Sequence, residues 1–210
     1  MTIKETQMKT VPEQFEQIEL EFRAIFADSS DVVFRNFLLG GRKQRALLLF
    51  IDGLAGKNIL NENIMRPLLL AEEFFSAPKS VSEIASSVLE TSDVKKTDQI
   101  KEIVAAVLGG DSTLLVEGSK EALLIDTREW EKRGVSEPGN EVVVRGPREG
   151  FIEALRINTS LLRRKIHHPD LKMEYLKSGR YSQTDICIAY VKGIASENLV
   201  KEVRRRVEHI

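Results

Sequence analysis

Arg145 and Arg148 flank the turn Gly146-Pro147, with Glu149 and Gly150 directly after it, and this loop is the best candidate for chemistry in the chain. The spacing predicts a helix that begins at once after the turn, with Pro147 in its first turn and Arg163, Arg164 and Lys165 near its C-terminal end. Backbone donors at such a helix start, together with two guanidinium groups, can hold a carboxylate or another anion. The same arginines can instead bridge two parts of the fold through Asp31, Asp52 or Glu149, and the sequence leaves both readings open. Asn158 lies seven residues after Phe151, on the stripe shared by Leu155 and Leu162. A polar side chain there must find hydrogen-bond partners, either by capping a neighbouring loop or by touching a ligand. The candidate ligand-binding set is therefore Arg145, Arg148, Glu149 and Asn158, with Asp31, Arg35 and Asp52 from the N-terminal half.

Other constellations are weak. His167 and His168 are adjacent and the third histidine is His209, so no zinc-ligand spacing appears. Gly40-Gly41 followed by Arg42, Lys43 and Arg45 hints at a phosphate-cradling turn, but the Lys-Ser/Thr of a Walker loop is missing. No serine sits in a G-x-S-x-G elbow, and Cys187 lies in an apolar run with no base beside it, which suits a buried inert thiol. The expectation is no catalytic site, no metal and no cofactor. A formal net charge of -1 also argues against a protein built chiefly to hold nucleic acid.

The elements that position these residues follow from periodicity. A helix over residues 13–26 presents Phe15, Ile18, Phe22 and Phe26; apolar runs at 32–34 and 46–51 read as strands, the second fully buried. Residues 61–76 read as helical, with Pro67 kinking them or starting a second helix. Ser80 with Glu83 forms a capping box. Ile100, Ile103, Val104, Val107 and Leu108 mark a core-facing helix stopped by Gly109-Gly110, and runs at 114–116 and 122–125 flank a hairpin loop. Beyond a composition break come a strand at 141–145, the helix to about residue 166, a strand near 173–176, a buried strand at 186–191 and a last helix. Ser196 is expected to cap that helix, and Leu199, Val200, Val203, Val207 and Ile210 form its apolar face. Arg156, Arg163 and Arg164 read as a basic outer face, as do Lys201, Arg204, Arg205 and Arg206, suited to solvent or to anionic partners.

This alternation predicts an α/β fold of two small subdomains, each a mixed sheet packed with helices. The divisions are residues 1–30 as an N-terminal helical segment, 31–127 as the first subdomain, 128–140 as a linker and 141–210 as the second subdomain. DVVFR at 31–35 and EVVVR at 141–145 echo each other, too briefly to establish a duplication. The longest apolar runs fall far short of the roughly 20 residues that span a bilayer.

EVVVRGPREGFIEALRINTSLLRRKI at residues 141–166 resembles the soluble N-terminal region of the A subunit in GerA-type nutrient germinant receptors of bacterial spores. DVVFR, LLLFIDGL at 47–54, VLGGDSTLLVEG, TREWEKRGVSEPGNE and the terminal IAYVKGIASENLVKEVRRRVEHI extend the likeness from about residue 31 to 210. The resemblance implies a fragment cut before transmembrane helices, on the core side of the spore inner membrane. It implies B and C type receptor subunits as partners and a part in sensing an amino acid, sugar or nucleoside. Two expectations follow: a cleft that binds the germinant between subdomains, or a domain that binds no ligand and serves assembly and signal transmission.

Overall fold

Strands β1 (Val32–Leu38) and β2 (Arg45–Ile51) form an antiparallel hairpin in which β2 is apolar on both faces. Leu47, Leu49 and Ile51 enter one buried cluster, whereas Ala46 and Leu48 enter another. A strand of period 2 with two apolar faces needs cover on each. The computed structural model, which describes residues 10–41, 44–91, 93–129 and 150–210, supplies that cover with helices on both sides of a sheet.

On one face lie α1 (Phe15–Ile25), through Phe15, Ile18 and Phe22, and the helix Ile100–Gly109, through Ile100, Ile103 and Val107. The other face is covered by a π-helical turn (Ile59–Met65) running into α2 (Arg66–Leu70), and by α3 (Val81–Ser87). Pro67 stands where the π-helical turn passes into α2, with Met65 and Arg66 before it on helical backbone. Helix content stops at Leu70 apart from one 3-10 turn at Phe74–Ser76. The Ser80 and Glu83 capping box is present in both directions.

Strand β3 (Val94–Thr97), helix α4 (Ile100–Gly109), β4 (Ser112–Val116) and β5 (Ala122–Ile125) complete a five-stranded sheet of order β1-β2-β4-β5-β3. Gly110 ends α4 at φ 99, as the glycine pair predicts. β3 was not foreseen, because Val-Lys-Lys-Thr carries no apolar run; two exposed lysines on an edge strand discourage pairing with another chain.

The second half holds α5 (Leu155–Lys165), β6 (Leu171–Ser178), β7 (Thr184–Val191) and α6 (Glu197–Glu208). The α/β expectation holds, but among the described residues every pairing of named strands is antiparallel rather than mixed. In the hairpins β1-β2, β4-β5 and β6-β7 the links are too short for the crossover a parallel pair requires. The strand expected at residues 141–145 and residues 130–140 of the expected linker lie outside the described residues. β7 is half-buried rather than buried, since among the described residues its sheet has only two strands. α5 starts at Leu155 and not at Pro147; residues 150–154 are non-helical.

The two hairpins share one plan. The Asp52 N–H donates to the Asp31 carbonyl at 2.9 Å, and the Lys192 N–H to the Asp170 carbonyl at 2.8 Å. Leu54 and Ala55 both donate to the Ile51 carbonyl; Ile194 and Ala195 both donate to that of Val191. Gly53 (φ +94) and Gly193 (φ +84) occupy the same turn position, and the bridges Asp52 with Ala55 and Lys192 with Ala195 repeat as well. IDGLAGKNIL at residues 51–60 and VKGIASENLV at 191–200 carry the match. Upstream, the C-cap bonds Phe26 to Phe22 and Ile166 to Leu162 correspond. Counting back from them, Phe15, Ile18 and Phe22 of α1 match Leu155, Asn158 and Leu162 of α5. The unit helix, aspartate, hairpin, glycine turn, helix thus occurs twice, though not at the echo between 31–35 and 141–145.

Candidate functional site at the junction of the two units

Arg163 of α5 and Asp31, at the start of β1, form a bidentate pair: Nε to Oδ2 at 2.6 Å and Nη2 to Oδ1 at 2.9 Å. Their side chains are 0% and 1% exposed. The fork geometry satisfies both carboxylate oxygens, and Arg163 Nη1 donates to the His168 carbonyl at 3.4 Å, so the buried charges are both compensated and hydrogen-bonded. Arg163 was expected on a solvated basic face. Its carboxylate lies 132 residues away in the chain, which no helix periodicity reveals.

Seven residues earlier on the same row of α5, Arg156 Nη1 reaches Asp52 Oδ1 at 3.4 Å, a contact that Lys57 shares at 3.9 Å. Between these two arginines α5 lies directly on the glycine turn. A Cβ added at Gly53 would stand 3.2 Å from Arg156 Cγ and 3.4 Å from Ser160 Cβ. Gly53 is therefore required twice, by its positive φ and by the approach of the helix. The β6 edge adds backbone links, Ser30 N to the Met173 carbonyl at 2.7 Å and Met173 N to the Asp28 carbonyl at 3.2 Å. Lys172, buried beside them, donates to the Ile25 carbonyl at 3.4 Å, and burial pulls its pKa below the usual lysine range.

Of the expected ligand-binding residues, Arg145, Arg148 and Glu149 lie outside the described residues. Asp31 and Asp52 come together at the junction, each facing an arginine of α5. Arg35 does not join them: it is exposed on β1, opposite Leu48 and about 13 Å along the strand from Asp31 at the usual rise. Asn158 caps a loop. Its Oδ1 accepts from the Ile152 N–H at 2.8 Å and its Nδ2 donates to the Ile152 carbonyl at 2.6 Å. This two-way grip ties Ile152 to α5 across the non-helical residues 150–154 and accounts for the late start of the helix. The Ser196 hydroxyl, expected to cap α6, makes no cap hydrogen bond, although Ser196 occupies the N-cap position.

Several other polar groups around the junction are paired with one another, whereas the buried Ser29 hydroxyl has no hydrogen-bond partner among the described residues. Thr159 and Tyr175 share a hydroxyl contact at 3.1 Å, and burial raises the Tyr175 pKa. Cys187 sits 3.9 Å from the Met173 sulfur, its thiol pushed up to about 11 by burial, with Asp31 adding to the shift. Among the described residues no group of three His, Cys, Asp or Glu is placed to hold a metal ion, and no helix is long and apolar enough to cross a membrane. Chemically the arrangement is a closed, hydrogen-bonded seam.

The family model for the Bacillus/Clostridium GerA spore germination protein matches residues 20–210. Spore germination protein KA of Bacillus subtilis (strain 168) is 33% identical over 183 residues, covering 87% of this chain and 34% of its own length. Spore germination protein B1 of the same organism is 34% identical over 182 residues, covering 87% and 37%. The chain thus spans about a third of the length of these relatives. The crystal structure of the N-terminal domain of the A subunit of the Bacillus megaterium spore germinant receptor GerK3 superposes with a TM-score of 0.73 at 22% identity, over 96% of this chain and 74% of that one.

Proposed function

The chain belongs to the GerA spore germination protein family, and from that premise we propose that it is the N-terminal region of a germinant receptor A subunit that serves assembly and signal transmission rather than nutrient binding at its own junction. The observation that carries this reading is the buried Arg163 and Asp31 pair. A binding cleft between the units would need converging polar groups with free valences and room for a small molecule. At the seam Arg163 and Asp31, and Arg156 and Asp52, are instead spent on each other, and Gly53 brings α5 within van der Waals contact of the turn. Two units locked in this way move as one body, which suits a part that passes on a change made elsewhere.

The outer surface fits the same role. Ile194 and Leu199 are 84% and 60% exposed, and the charged residues Lys201, Glu202, Arg205 and Arg206 lie near them on α6. Apolar groups within a charged surround are the anatomy of a protein interface, and the B and C type subunits of the receptor are the partners proposed for it. The full-length protein is placed at the spore inner membrane, with this domain on the core side, as in the family picture the sequence suggests. Its part in nutrient sensing is indirect: it couples the state of its partners to the rest of the A subunit.

Affinity purification of the receptor from spores through this chain tests the reading. Leu199→Asp is expected to leave the chain's abundance and fold unchanged while other receptor subunits are lost from the purified complex and the germination response falls. Retention of both subunits and response in that variant would overturn the assembly role.

A further inference from the structure

Three acidic residues gather behind the turn on which α5 sits, and one arginine serves them. Asp111 follows the glycine stop of α4, Asp126 follows β5, and Asp93 precedes β3. Arg128 Nε lies 2.9 Å from Asp111 Oδ1 and 3.0 Å from Asp126 Oδ1. Its one N–H is directed at Asp126, whose Oδ1 also accepts the Arg128 backbone N–H at 3.1 Å. Asp111 Oδ1 is therefore close to a positive charge yet receives no hydrogen bond from any described residue, and solvent does not reach it.

A buried carboxylate oxygen without a donor is costly, whereas the same oxygen carrying a proton becomes a donor itself. With Asp111 as the carboxyl and Asp126 as the carboxylate, every group in the cluster has a partner. The electrostatics agree. Burial, which outweighs the attraction of Arg128, raises the Asp111 pKa. At Asp126 burial also pushes upward, but hydrogen bonds from Arg128 and Asp111 outweigh it and the pKa falls. The charged groups facing Asp111 are Arg128, Asp126 and Asp93. The end of α4 and the turn contribute uncharged Gly110 and Leu54, and the Glu129 carboxylate lies over Gly56 instead. Were all three carboxyls ionised, one guanidinium would face three negative charges.

Arg128 belongs to the segment that carries the turn. The Gly56 N–H donates to the Thr127 carbonyl at 2.7 Å, and the Glu129 N–H to that of Leu54 at 3.3 Å. The buried Thr127 hydroxyl donates to the Gly110 carbonyl at 3.1 Å and contacts the Ser112 hydroxyl at 2.8 Å. We propose that Asp111 and Asp126 share one proton and that this proton fixes Arg128, so that the segment supporting the α5 docking turn is held firmly while the proton is present and loosens when both carboxyls are ionised. The sign for stability follows from the two directions. Folding raises the Asp111 pKa, so its contribution is fully present below the ordinary value of 3.8 and is lost as pH rises through the higher folded value. The Asp126 contribution is instead lost as pH falls below 3.8 through its lower folded value, so the two windows do not overlap. This pH-sensitive support goes beyond the assembly reading and does not depend on the partner contacts of α6.

Two measurements on the purified chain test the proposal. In carboxyl-detected NMR, with resonances assigned through the backbone, Asp111 is expected to titrate above 3.8 and Asp126 below it. Amide hydrogen exchange at Gly56 and Glu129, corrected for its intrinsic pH dependence, is expected to lose protection as pH rises, about tenfold for each unit by which the Asp111 carboxyl is raised. Asp111→Asn places an amide donor where the shared proton stood, and its protection is expected to hold across the same range. The titration needs no variant, so it decides even if Asp111→Asn does not fold. Asp111 titrating at or below 3.8, protection in the parent that is flat with pH, or a folded Asp111→Asn less protected than the parent at every pH would each overturn the proposal and leave Asp111 an ordinary ion-pair partner of Arg128.

Discussion

Arg163 and Asp31 stand 132 residues apart in the chain and meet as a bidentate pair with side-chain exposures of 0% and 1%. Neither charge has water to fall back on. The consequence is that the two units are coupled by a contact that tolerates the loss of both partners better than the loss of one.

Arg163→Ala and Asp31→Ala are each expected to destabilise the chain by about 3–5 kcal/mol, since each strands a buried charge. The double variant Arg163→Ala with Asp31→Ala should fall well short of the sum of the single losses. Urea denaturation of the four proteins checks this, and strict additivity would show that the pair is not coupled.

Gly53 and Gly193 share a turn geometry but not an environment. Gly53→Ala adds a methyl group 3.2 Å from Arg156 Cγ on top of the left-handed backbone penalty, whereas Gly193→Ala carries only that penalty of roughly 1–2 kcal/mol. Thermal melts should therefore place Gly53→Ala below Gly193→Ala. Equal melting temperatures would mean that α5 does not press on the turn.

Asn158→Ala removes two hydrogen bonds to the Ile152 backbone, each worth about 0.5–1.5 kcal/mol. Asn158→Asp keeps an acceptor and loses the donor, so it should fall between Ala and the parent in urea midpoint. A midpoint for Asn158→Ala equal to the parent's would refute the capping role.

Much of this fold was legible before any coordinates, where the signal was local. The two-faced β2, the Ser80 capping box and the glycine stop of α4 each follow from a few neighbouring residues. Arg163 misled because its carboxylate is remote, so a buried anchor reads like one more arginine on an outer face. Asn158 was legible as a polar residue needing partners, but not as the reason that α5 begins at Leu155. The duplication stayed hidden because its exposed positions have diverged, Asp52 to Lys192 and Arg156 to Glu16, leaving chiefly the glycine turn to mark it. Arg145, Arg148 and Glu149, the core of the expected anion site, lie outside the described residues, and their role is carried into the experiments below.

The Cys187 thiol should be slow to react. With its pKa raised from 9.0 to about 11, its thiolate fraction at pH 8 falls about 100-fold below that of an ordinary cysteine. The sign for stability follows: the folded state holds the proton more tightly, so this group's contribution is fully present below pH 9 and is lost as pH rises toward 11. Alkylation at pH 8, native against urea-unfolded, measures the effect; equal rates would contradict it.

Ligand-observed NMR of this chain against amino acids, sugars and nucleosides that trigger spores carrying the full receptor tests the central claim most directly, with Arg148→Ala as the control. The account predicts no saturation transfer from any nutrient in the panel. Transfer from one of them, abolished in folded Arg148→Ala, would place nutrient recognition in this domain and contradict the assembly and transmission role.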